Sequence, residues 1–418
     1  MKESLNMAKK HLIIGCGTAA LSAAKKIRSM NRDDEIKLVT REHTLPYSPA
    51  ALPYLLSGRL KEDNLWVADY SLLHELGFQL EKGKEFVGVI PEQKEVRYKD
   101  GGRESFDTLL IATGSDATKP PIKGLDLEGF MSLHTYEDCQ KLFRRLDGKK
   151  EVTVYGGGMV ALETAAALLE RGLKVRIVVR SRIARGYFDE EVGTFIEGVL
   201  RQKGAEICAG NKIEETHGKK DRTEIVLSDG RSLQTDLLIN CIGVEPRINF
   251  LEGTGILTRQ GVIVDKKMRT NLSDIYAAGD VVEGHDFFFG QVGINAIAPT
   301  AVQQGKVAGT NMAGEEIEDR GWIPMNVFRF FGHTAFSIGL SSQSSSQILR
   351  DKNKAGIYKE LVIQENRLVG ARFIDAEVDP GIFRYLMEEK VDVGPYKEVL
   401  LERPREMSRW LAMQAERN

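Results

Sequence analysis

The sequence contains few cysteines: Cys16, Cys139, Cys208 and Cys241. No two of them form a Cys-x-x-Cys pair, which excludes a redox disulfide of that type and a local four-cysteine iron–sulfur loop. Cys208 and Cys241 stand in apolar, strand-like runs and are expected to pack as small buried hydrophobes, whereas Cys16 lies in a glycine-rich loop. We predict no metal site, so any iron–sulfur cluster must belong to another chain.

The sequence also lacks an excess of charge and a long apolar run. Its 58 Lys and Arg residues against 60 Asp and Glu residues leave a net charge of −2, which does not favour a nucleic-acid or membrane-surface partner. No apolar run approaches the roughly 20 residues of a membrane span, and the N-terminal run before Gly15 is too short for a secretory signal peptide. We therefore expect a cytoplasmic protein, and its 418 residues allow two or three domains.

Two glycine-rich turns stand out among the features that are present. In the first, HLIIGCGTAALSAAKKI, an apolar run ends at Gly15 and apolar residues then recur at helical spacing. Gly15 and Gly17 would let the backbone turn and approach a pyrophosphate at the N-terminus of the helix, which Thr18 and Ala19 open. Glu42, just beyond the next predicted strand, is our candidate for binding the adenosine ribose.

The second turn lies in EVTVYGGGMVALETAAALLERGLKVRIVVRSRIAR, residues 151–185. Its predicted cofactor contacts are Gly156, Gly158, Met159 and Val160. Two β-α-β fingerprints in one chain favour two bound dinucleotides, a flavin and a nicotinamide nucleotide. The alternative is a pair of ordinary doubly wound turns without a ligand.

Five motifs along the chain resemble those of the FAD- and NAD(P)-dependent pyridine nucleotide-disulfide oxidoreductases. Besides the fingerprints, FDTLLIATGS (106–115) and IYAAGDVVE (275–283) resemble the junction and the flavin-binding signature of this family. INAIAPTAVQQGKVAGTNMAG resembles the helix that begins at the flavin ring. The most similar branch contains ferredoxin and rubredoxin reductases, nitrite reductase flavoprotein parts and NADH oxidases. The further cofactor contacts that we predict are Thr113, Gly114, Gly243, Gly279, Asp280, Pro299 and Thr300.

The resemblance implies an α/β fold with two Rossmann-like nucleotide-binding domains, one inserted in the other, and a C-terminal α+β domain. We predict a discontinuous FAD domain at 1–117 and 247–321, an NAD(P) domain at 118–246, and an interface domain at 322–418. In relatives the last domain often forms a dimer interface, so the resemblance implies either a homodimer through this domain or a hetero-oligomer. The terminal stripe around Trp410 fits an ordinary core helix, with a partner-docking helix as the alternative.

The stretch YSPAALPYLLSG (47–58) departs from the relatives that reduce disulfides, peroxide or oxygen. Those relatives carry a redox cysteine two residues before the Leu-Pro-Tyr run, and here that position is Ala50. Pro49 and Tyr54 also replace the Arg and Lys that are usual in ferredoxin reductases. Without a thiolate nucleophile, electrons are expected to leave the flavin directly.

Glu163 matches a glutamate that relatives hold near the nicotinamide, and it is our candidate catalytic residue. The alternative is a polar residue in the first turn of the helix, favoured there by the helix dipole. Three arginines follow the second fingerprint: Arg180, Arg182 and Arg185. Arginines at the end of this strand favour the 2′-phosphate of NADPH, whereas the alternative is a solvated basic loop in an enzyme that uses NADH.

The resemblance therefore implies an FAD-dependent NAD(P)H:acceptor oxidoreductase. Its partner would be a ferredoxin, a rubredoxin or the iron–sulfur subunit of a larger complex such as a tungsten or molybdenum aldehyde oxidoreductase. Two alternatives stay open at this point. One is a non-enzymatic flavoprotein whose redox state controls partner assembly, and the other is an NADH oxidase-like enzyme without the cysteine.

Overall fold

The computed structural model describes residues 8–125, 130–219, 222–341, 346–352 and 356–416. These residues belong to two compact units. The first unit comprises Met1–Ala51, Lys61–Asp116 and Val244–Trp322, and the second unit comprises Leu52–Leu60, Ala117–Gly243 and Ile323–Asn418. The domain limits at residues 117, 246 and 321 remain a prediction.

Helices alternate with single strands or with runs of several strands along the chain. The α-helices of the described residues are α1 (Thr18–Met30), α2 (Leu52–Ser57), α3 (Tyr70–Glu75), α4 (Tyr136–Leu146), α5 (Met159–Glu170), α6 (Glu190–Gln202), α7 (Ala298–Met312), α8 (Pro380–Glu388), α9 (Lys397–Glu402) and α10 (Pro404–Ala415). The strands are β1 (Lys10–Ile14), β2 (Glu35–Val39), β3 (Phe78–Glu81), β4 (Phe86–Ile90), β5 (Glu95–Tyr98), β6 (Arg103–Ser105), β7 (Thr108–Ile111), β8 (Ser115–Ala117), β9 (Phe130–Ser132), β10 (Glu151–Tyr155), β11 (Lys174–Val179), β12 (Glu206–Ala209), β13 (Ile213–Lys219), β14 (Arg222–Leu227), β15 (Ser232–Thr235), β16 (Leu237–Asn240), β17 (Val244–Pro246), β18 (Val262–Ile263), β19 (Ile275–Ala277), β20 (Val282–His285), β21 (Val292–Gly293), β22 (Met325–Phe330), β23 (His333–Gly339), β24 (Gln347–Lys352), β25 (Tyr358–Gln364) and β26 (Arg367–Ile374).

The first unit is built on a parallel sheet in the order β19-β7-β1-β2-β3. The run HLII in β1 is buried on both faces, as is typical of a central parallel strand, and Leu12 and Ile13 are fully buried. Helices α1 and α7 belong to the core cluster that contains Ile13. The predicted strand–turn–helix around Gly15 is confirmed by this arrangement.

Close contact between α1 and α7 depends on small residues. A side-chain Cβ at Gly305 of α7 would lie 2.3 Å from the carbonyl oxygen of Ala19, and one at Gly309 would lie 2.5 Å from that of Ala23. Real Cβ atoms do not approach an oxygen so closely, so only glycine fits at both positions. The backbones of the two helices therefore touch directly.

The second unit contains a second parallel sheet, in the order β12-β11-β10-β16-β9. It also contains the antiparallel sheet β22-β23-β26-β25-β24, followed by α8 to α10. Phe383 of α8 packs edge-on against Phe336 and Phe373 of that sheet, with ring centroids 6.4 and 5.2 Å apart. Two Rossmann-like parallel sheets and a C-terminal antiparallel sheet confirm the predicted α/β fold class.

The terminal helices divide the predicted apolar stripe between two environments. Leu400, Leu401 and Leu411 are buried, whereas Trp410 and Met413 are 37% and 50% exposed. Core packing therefore explains only the first group. Within the described ranges, no helix is both long and apolar enough to cross a lipid bilayer.

A buried histidine in β1 makes the stability of the first unit depend on pH. The His11 ring lies 2.9 Å from Asp34 through Nε2 and 2.7 Å from Thr108 through Nδ1. A neutral ring with its proton on Nε2 donates to Asp34 and accepts from the Thr108 hydroxyl. Burial lowers the pKa of His11 below its ordinary value in spite of Asp34.

We expect this histidine to destabilise the protein as the solution becomes acidic. The unfolded chain takes up a proton at the ordinary histidine pKa and the folded chain only at lower pH, so stability is lost as pH falls through that window, by at most about 1.4 kcal/mol per pH unit. The midpoint of thermal unfolding, measured between about pH 8 and pH 5.5, should fall more steeply in the wild type than in His11→Asn. His217→Gln, which changes an exposed histidine, is the control and should keep the wild-type slope. Equal slopes in His11→Asn and wild type would contradict the prediction.

Candidate functional site

The predicted flavin-binding residues of the first unit meet at one edge of its sheet. Strands β19, β7, β1 and β2 are parallel neighbours, so their carboxyl ends lie along the same edge. The predicted residues that follow these strands are Gly15, Gly17, Glu42, Thr113, Gly114, Gly279 and Asp280. In open α/β sheets, nucleotides bind in the crevice outside this edge.

The turn after β1 has the shape of a pyrophosphate cradle. Gly15 has φ +123°, and a Cβ there would lie 2.1 Å from the carbonyl oxygen of Ala112. Gly17 is the N-cap of α1, and a Cβ there would meet nothing within 4 Å in the described structure. The first turn of α1, beginning Thr18-Ala19, has no acidic side chain, so no carboxylate of that turn offsets the positive end of the helix dipole.

Polar contacts fix the other predicted flavin residues of this edge. Ser115 donates from Oγ to Asp280 Oδ2 at 3.1 Å, and Thr113 donates from Oγ1 to the carbonyl oxygen of Arg247 at 3.3 Å. The Glu42 carboxylate accepts from the Tyr47 hydroxyl at 2.8 Å, which holds this side chain just after β2. The structure thus fixes these side chains, while their contacts with FAD remain a prediction.

Two buried polar atoms near the start of α7 make no hydrogen bond within the described part of the chain. They are Thr300 Oγ1 and Asn295 Nδ2. Thr300 is only 3% exposed, and Pro299 occupies the first turn of α7 beside it. Buried polar atoms without a partner are costly, so such a pair fits a ligand that supplies the missing hydrogen bonds. The residues present therefore fit FAD, and Asn295 is a candidate contact that the sequence reasoning missed.

The turn after β10 in the second unit repeats the first cradle. Gly156 has φ +139°, and a Cβ there would lie 2.2 Å from the carbonyl oxygen of Cys241. Gly158 is the N-cap of α5, whose first turn begins with half-buried Met159 and exposed Val160. A nucleotide bound at the start of α5 would cover this exposed valine. Gly243, with φ +135°, follows the parallel neighbour β16 at the same edge of the sheet.

Tyr187 also lies at this helix start and was not predicted. Its hydroxyl oxygen would be 3.4 Å from a Cβ at Gly158. Burial raises the pKa of Tyr187, and a hydrogen bond with the backbone of Met159 partly offsets that effect. The phenol is a neutral group that stands where the nicotinamide nucleotide would approach α5.

The three arginines after β11 differ in their surroundings. Arg182 donates from Nη2 to the carbonyl oxygen of Phe188 at 2.7 Å and from Nη1 to that of Ile183 at 3.2 Å. Its guanidinium is therefore occupied by its own loop. Arg180 and Arg185 are exposed and have no ion-pair partner among the described residues. Of the three, these two are the better candidates for binding a 2′-phosphate, which remains a prediction.

Glu163 is a carboxyl group with a strongly raised pKa in this region. The first turn of α5 is Met159-Val160-Ala161-Leu162, so the alternative of a first-turn residue held by the helix dipole is wrong. Glu163 begins the second turn, where burial raises its pKa to about 7. The Tyr54 hydroxyl of α2, 109 residues earlier in the chain, donates to Glu163 Oε1 at 3.3 Å. A carboxyl group with such a pKa can hold or release a proton near neutral pH.

The cysteines offer no reactive thiolate in the described structure. Cys16, Cys139 and Cys208 are buried and Cys241 is half-buried, and none of these four forms a disulfide. Burial raises the pKa of Cys16 to about 11 and that of Cys241 to about 12, so both thiols stay protonated at neutral pH. Ala50 is exposed in the short 3₁₀ turn Pro49–Ala51.

Comparison with known proteins agrees with this geometry. The family model of pyridine nucleotide-disulphide oxidoreductase matches residues 9–305, and that of the rubredoxin NAD+ reductase C-terminal domain matches residues 324–390. The chain is 31% identical over 97% of both sequences to the NADH-dependent phenylglyoxylate dehydrogenase subunit epsilon of Aromatoleum evansii. It is 32% identical to the NADH oxidase of Methanocaldococcus jannaschii, over 73% of this chain and 70% of that protein.

Among solved structures, an NAD-dependent persulfide reductase from A. fulgidus superposes with a TM-score of 0.82 at 25% identity, covering 90% of this chain and 76% of the other. The family match spans both glycine-rich turns and the first half of α7. The protein belongs to the pyridine nucleotide-disulphide oxidoreductase family, as an oxidoreductase that uses FAD and NAD(P)H.

Proposed function

We propose that the protein takes reducing equivalents from NAD(P)H and passes electrons from its flavin directly to an iron–sulfur partner. That partner would be a ferredoxin, a rubredoxin or a subunit of a larger redox complex. The observation that carries the proposal is Ala50 at the position of the redox cysteine, together with the burial of the thiols. The similarity to the Aromatoleum protein, a dehydrogenase subunit, and the match to the rubredoxin NAD+ reductase C-terminal domain support it.

FAD, when bound, accepts a hydride from NAD(P)H and can release the two electrons one at a time. The chain's own residues bind and orient the two nucleotides. The cradles at Gly15 and Gly156 would hold the pyrophosphates, and Thr300 and Asn295 would complete their hydrogen bonds to the flavin.

Glu163 would supply charge where the nicotinamide becomes positive. Loss of a hydride converts a neutral dihydronicotinamide into a pyridinium cation, which a nearby carboxylate stabilises. The Tyr54 hydrogen bond favours the ionised form of Glu163, because a donor stabilises the carboxylate. Glu163 and Tyr54 thus set the pH at which this charge is available.

Acceptor choice tests the proposed function. NADPH or NADH should bleach the flavin absorbance, and a neutral quinone or rubredoxin should restore it within seconds. Coenzyme A disulfide should restore it no faster than air does, because a thiolate nucleophile is needed for that reaction. Rapid reduction of coenzyme A disulfide, or no rubredoxin reduction by the wild type, would contradict the proposal.

The exposed arginines should determine the choice of nicotinamide nucleotide. In Arg180→Ser/Arg185→Ser we expect the KM for NADPH to rise by about tenfold or more, because each charge-assisted phosphate contact is worth about 1.5–3 kcal/mol before solvent screening. The KM for NADH should change little. Lys174→Ser is the control, since Lys174 is exposed at the opposite end of β11. The prediction is contradicted if the wild type prefers NADH, or if the double variant raises the KM for both nucleotides equally. The arginines would then belong to a solvated basic loop that does not bind the 2′-phosphate.

A further inference from the structure

The loop between β11 and α6 is anchored on the second glycine-rich turn. It spans residues 180–188 and carries both arginines proposed to bind the 2′-phosphate. The backbone N–H of Ala184 donates to the carbonyl oxygen of Gly157 at 2.7 Å. The Tyr187 hydroxyl makes a hydrogen bond with the backbone of Met159 at the start of α5. We call residues 180–188 the nucleotide loop.

The far end of the nucleotide loop is fixed by Asp189, which directly follows it. Asp189 Oδ1 accepts from the Val192 backbone N–H at 2.9 Å and thereby caps the N-terminus of α6. Its second oxygen, Oδ2, accepts from the Tyr358 hydroxyl at 2.9 Å. Tyr358 is the first residue of β25 in the C-terminal antiparallel sheet, 169 residues further along the chain. One carboxylate therefore joins the loop, the helix and that sheet.

Tyr358 is held in place by a charged cluster in the same sheet. It is 2% exposed, and its hydroxyl oxygen lies 3.0 Å from Glu360 Oε2. Glu360 is buried as well and accepts from Arg372 at 2.8 Å and from Arg350 at 2.8 Å. These two arginines stand directly opposite Glu360 on β26 and β24. Two cations thus neutralise the buried carboxylate beside the phenol.

The phenol has one proton to share between two carboxylates. Glu360 Oε2 already accepts from Arg350, and Glu360 Oε1 accepts from Arg372. Asp189 Oδ2 has no other donor within the described part of the chain, so the Tyr358 proton is better placed on Asp189. Burial and the two carboxylates raise the pKa of Tyr358, so the phenol keeps its proton at neutral pH.

Neither helix capping nor packing requires this hydrogen bond. Asp189 caps α6 with its other oxygen, and a phenylalanine would fill nearly the same volume as Tyr358. Burying a glutamate, an arginine and a phenol in one sheet costs desolvation free energy that an apolar core avoids. Such an arrangement, which ends at the nucleotide loop, favours a role in placing that loop.

We propose that Tyr358 is a positioning residue for NAD(P)H, because through Asp189 it fixes the nucleotide loop relative to the C-terminal sheet. This inference rests on the nicotinamide nucleotide site proposed above and adds to it a residue of the C-terminal sheet. Without the hydrogen bond the loop would sample other positions, and nucleotide binding would have to offset the free energy of ordering it. That cost is the same for NADH and NADPH, so both should lose affinity.

Reduction of the flavin by NAD(P)H in the FAD-loaded protein, followed by stopped-flow absorbance, tests the proposal. The dependence on nucleotide concentration gives an apparent Kd and a limiting rate separately. In Tyr358→Phe we expect the apparent Kd for NADPH and for NADH to rise by about three- to tenfold, with a limiting rate within about twofold of wild type.

Lys352→Gln is the matched control for this variant. Lys352 of the neighbouring strand β24 contacts Glu191 of α6 at 2.5 Å through an exposed ion pair that does not involve Asp189. Exposed pairs of this kind contribute little. Lys352→Gln should therefore bind both nucleotides like the wild type.

Asp189→Ser separates the contact with the sheet from capping of the helix. Serine is also a good N-cap residue, but it has one side-chain oxygen, which the cap occupies. We expect Asp189→Ser to raise both Kd values as Tyr358→Phe does. The double variant should be no weaker than either single variant, because the two changes remove the same hydrogen bond. Should Tyr358→Phe not fold, the comparison of Asp189→Ser with Lys352→Gln decides the same question.

Three results would overturn the proposal. The first is wild-type Kd values in Tyr358→Phe, even with a lower unfolding temperature, since the contact would then be structural only. The second is a loss confined to the limiting rate, and the third is additive losses in the double variant. Failure of the proposed function looks different, because it would appear as a wild type that does not reduce rubredoxin, whatever the Kd values of the variants.

Discussion

Gly17→Ala is expected to yield a folded protein that binds FAD roughly a hundredfold more weakly than the wild type, a loss of about 2–3 kcal/mol. The φ of Gly17 is −75°, which any residue adopts, and the added methyl group meets no atom of the described structure within 4 Å. It would instead occupy the space into which the N–H groups of α1 point. A pyrophosphate held there would be pushed away from its donors.

Gly15→Ala is the matched variant, two residues away, with the opposite effect. Its Cβ would lie 2.1 Å from the Ala112 carbonyl oxygen, at φ +123°, so the protein itself must distort. We expect the apoprotein of Gly15→Ala to unfold at a much lower temperature, and that of Gly17→Ala to unfold like the wild-type apoprotein. Apoproteins must be compared, because bound FAD stabilises the folded state by mass action.

FAD titration followed by flavin fluorescence, together with thermal unfolding of the apoproteins, separates the two effects. Wild-type FAD affinity in Gly17→Ala would show that no phosphate approaches the start of α1. An unfolded Gly17→Ala apoprotein would show that this glycine is needed for folding rather than for binding.

Reduction of the flavin by NAD(P)H should accelerate as pH rises through about 7 and should lose this dependence in Glu163→Gln. Below that pH the Glu163 carboxyl is protonated and neutral, and above it the carboxylate stabilises the cation that hydride loss creates. The amide of Gln is neutral at every pH. We therefore expect a rate about tenfold lower than wild type at about pH 8 and a small difference at about pH 6.

Tyr54→Phe tests the origin of this pKa. Removing the hydroxyl removes a hydrogen bond that lowers the Glu163 pKa, so the midpoint of the rate profile should move to higher pH, by about one unit or less. Stopped-flow absorbance at the flavin band measures both profiles without interference from the acceptor. A pH-dependent rate that persists unchanged in Glu163→Gln would assign the titration to another group.

The elements that follow from local spacing were predictable, and the pairings across long stretches of chain were not. Strands β1 and β10 are short apolar runs, and each is followed directly by a glycine. Such features lie within a few consecutive residues, so the hydrophobic pattern and the glycine positions identify them from the sequence. Glu163 was found by resemblance, but its partner Tyr54 stands on a separate short helix, and no periodicity connects the two.

The arginines after β11 show a second limit of sequence reasoning. All three carry the same charge and stand within six residues of one another, yet Arg182 turns back to the carbonyl oxygens of Ile183 and Phe188. The sequence shows that three guanidinium groups are present. Only the conformation of the loop determines which of them are free to bind a phosphate. The unpartnered Asn295 likewise could be recognised only from its burial.

Gly305 and Gly309 have a mechanical consequence for the first unit. Because backbone meets backbone at Ala19 and Ala23, no rotamer change can absorb a displacement between α1 and α7. The starts of α1 and α7 are therefore held at a fixed separation. The predicted pyrophosphate-binding turn lies at the start of α1, and Thr300 lies at the start of α7. A bulkier residue at Gly305 or Gly309 would push the two helices apart. The flavin ring of a bound FAD would then shift relative to its phosphates, although the substituted side chain contacts neither part of the FAD.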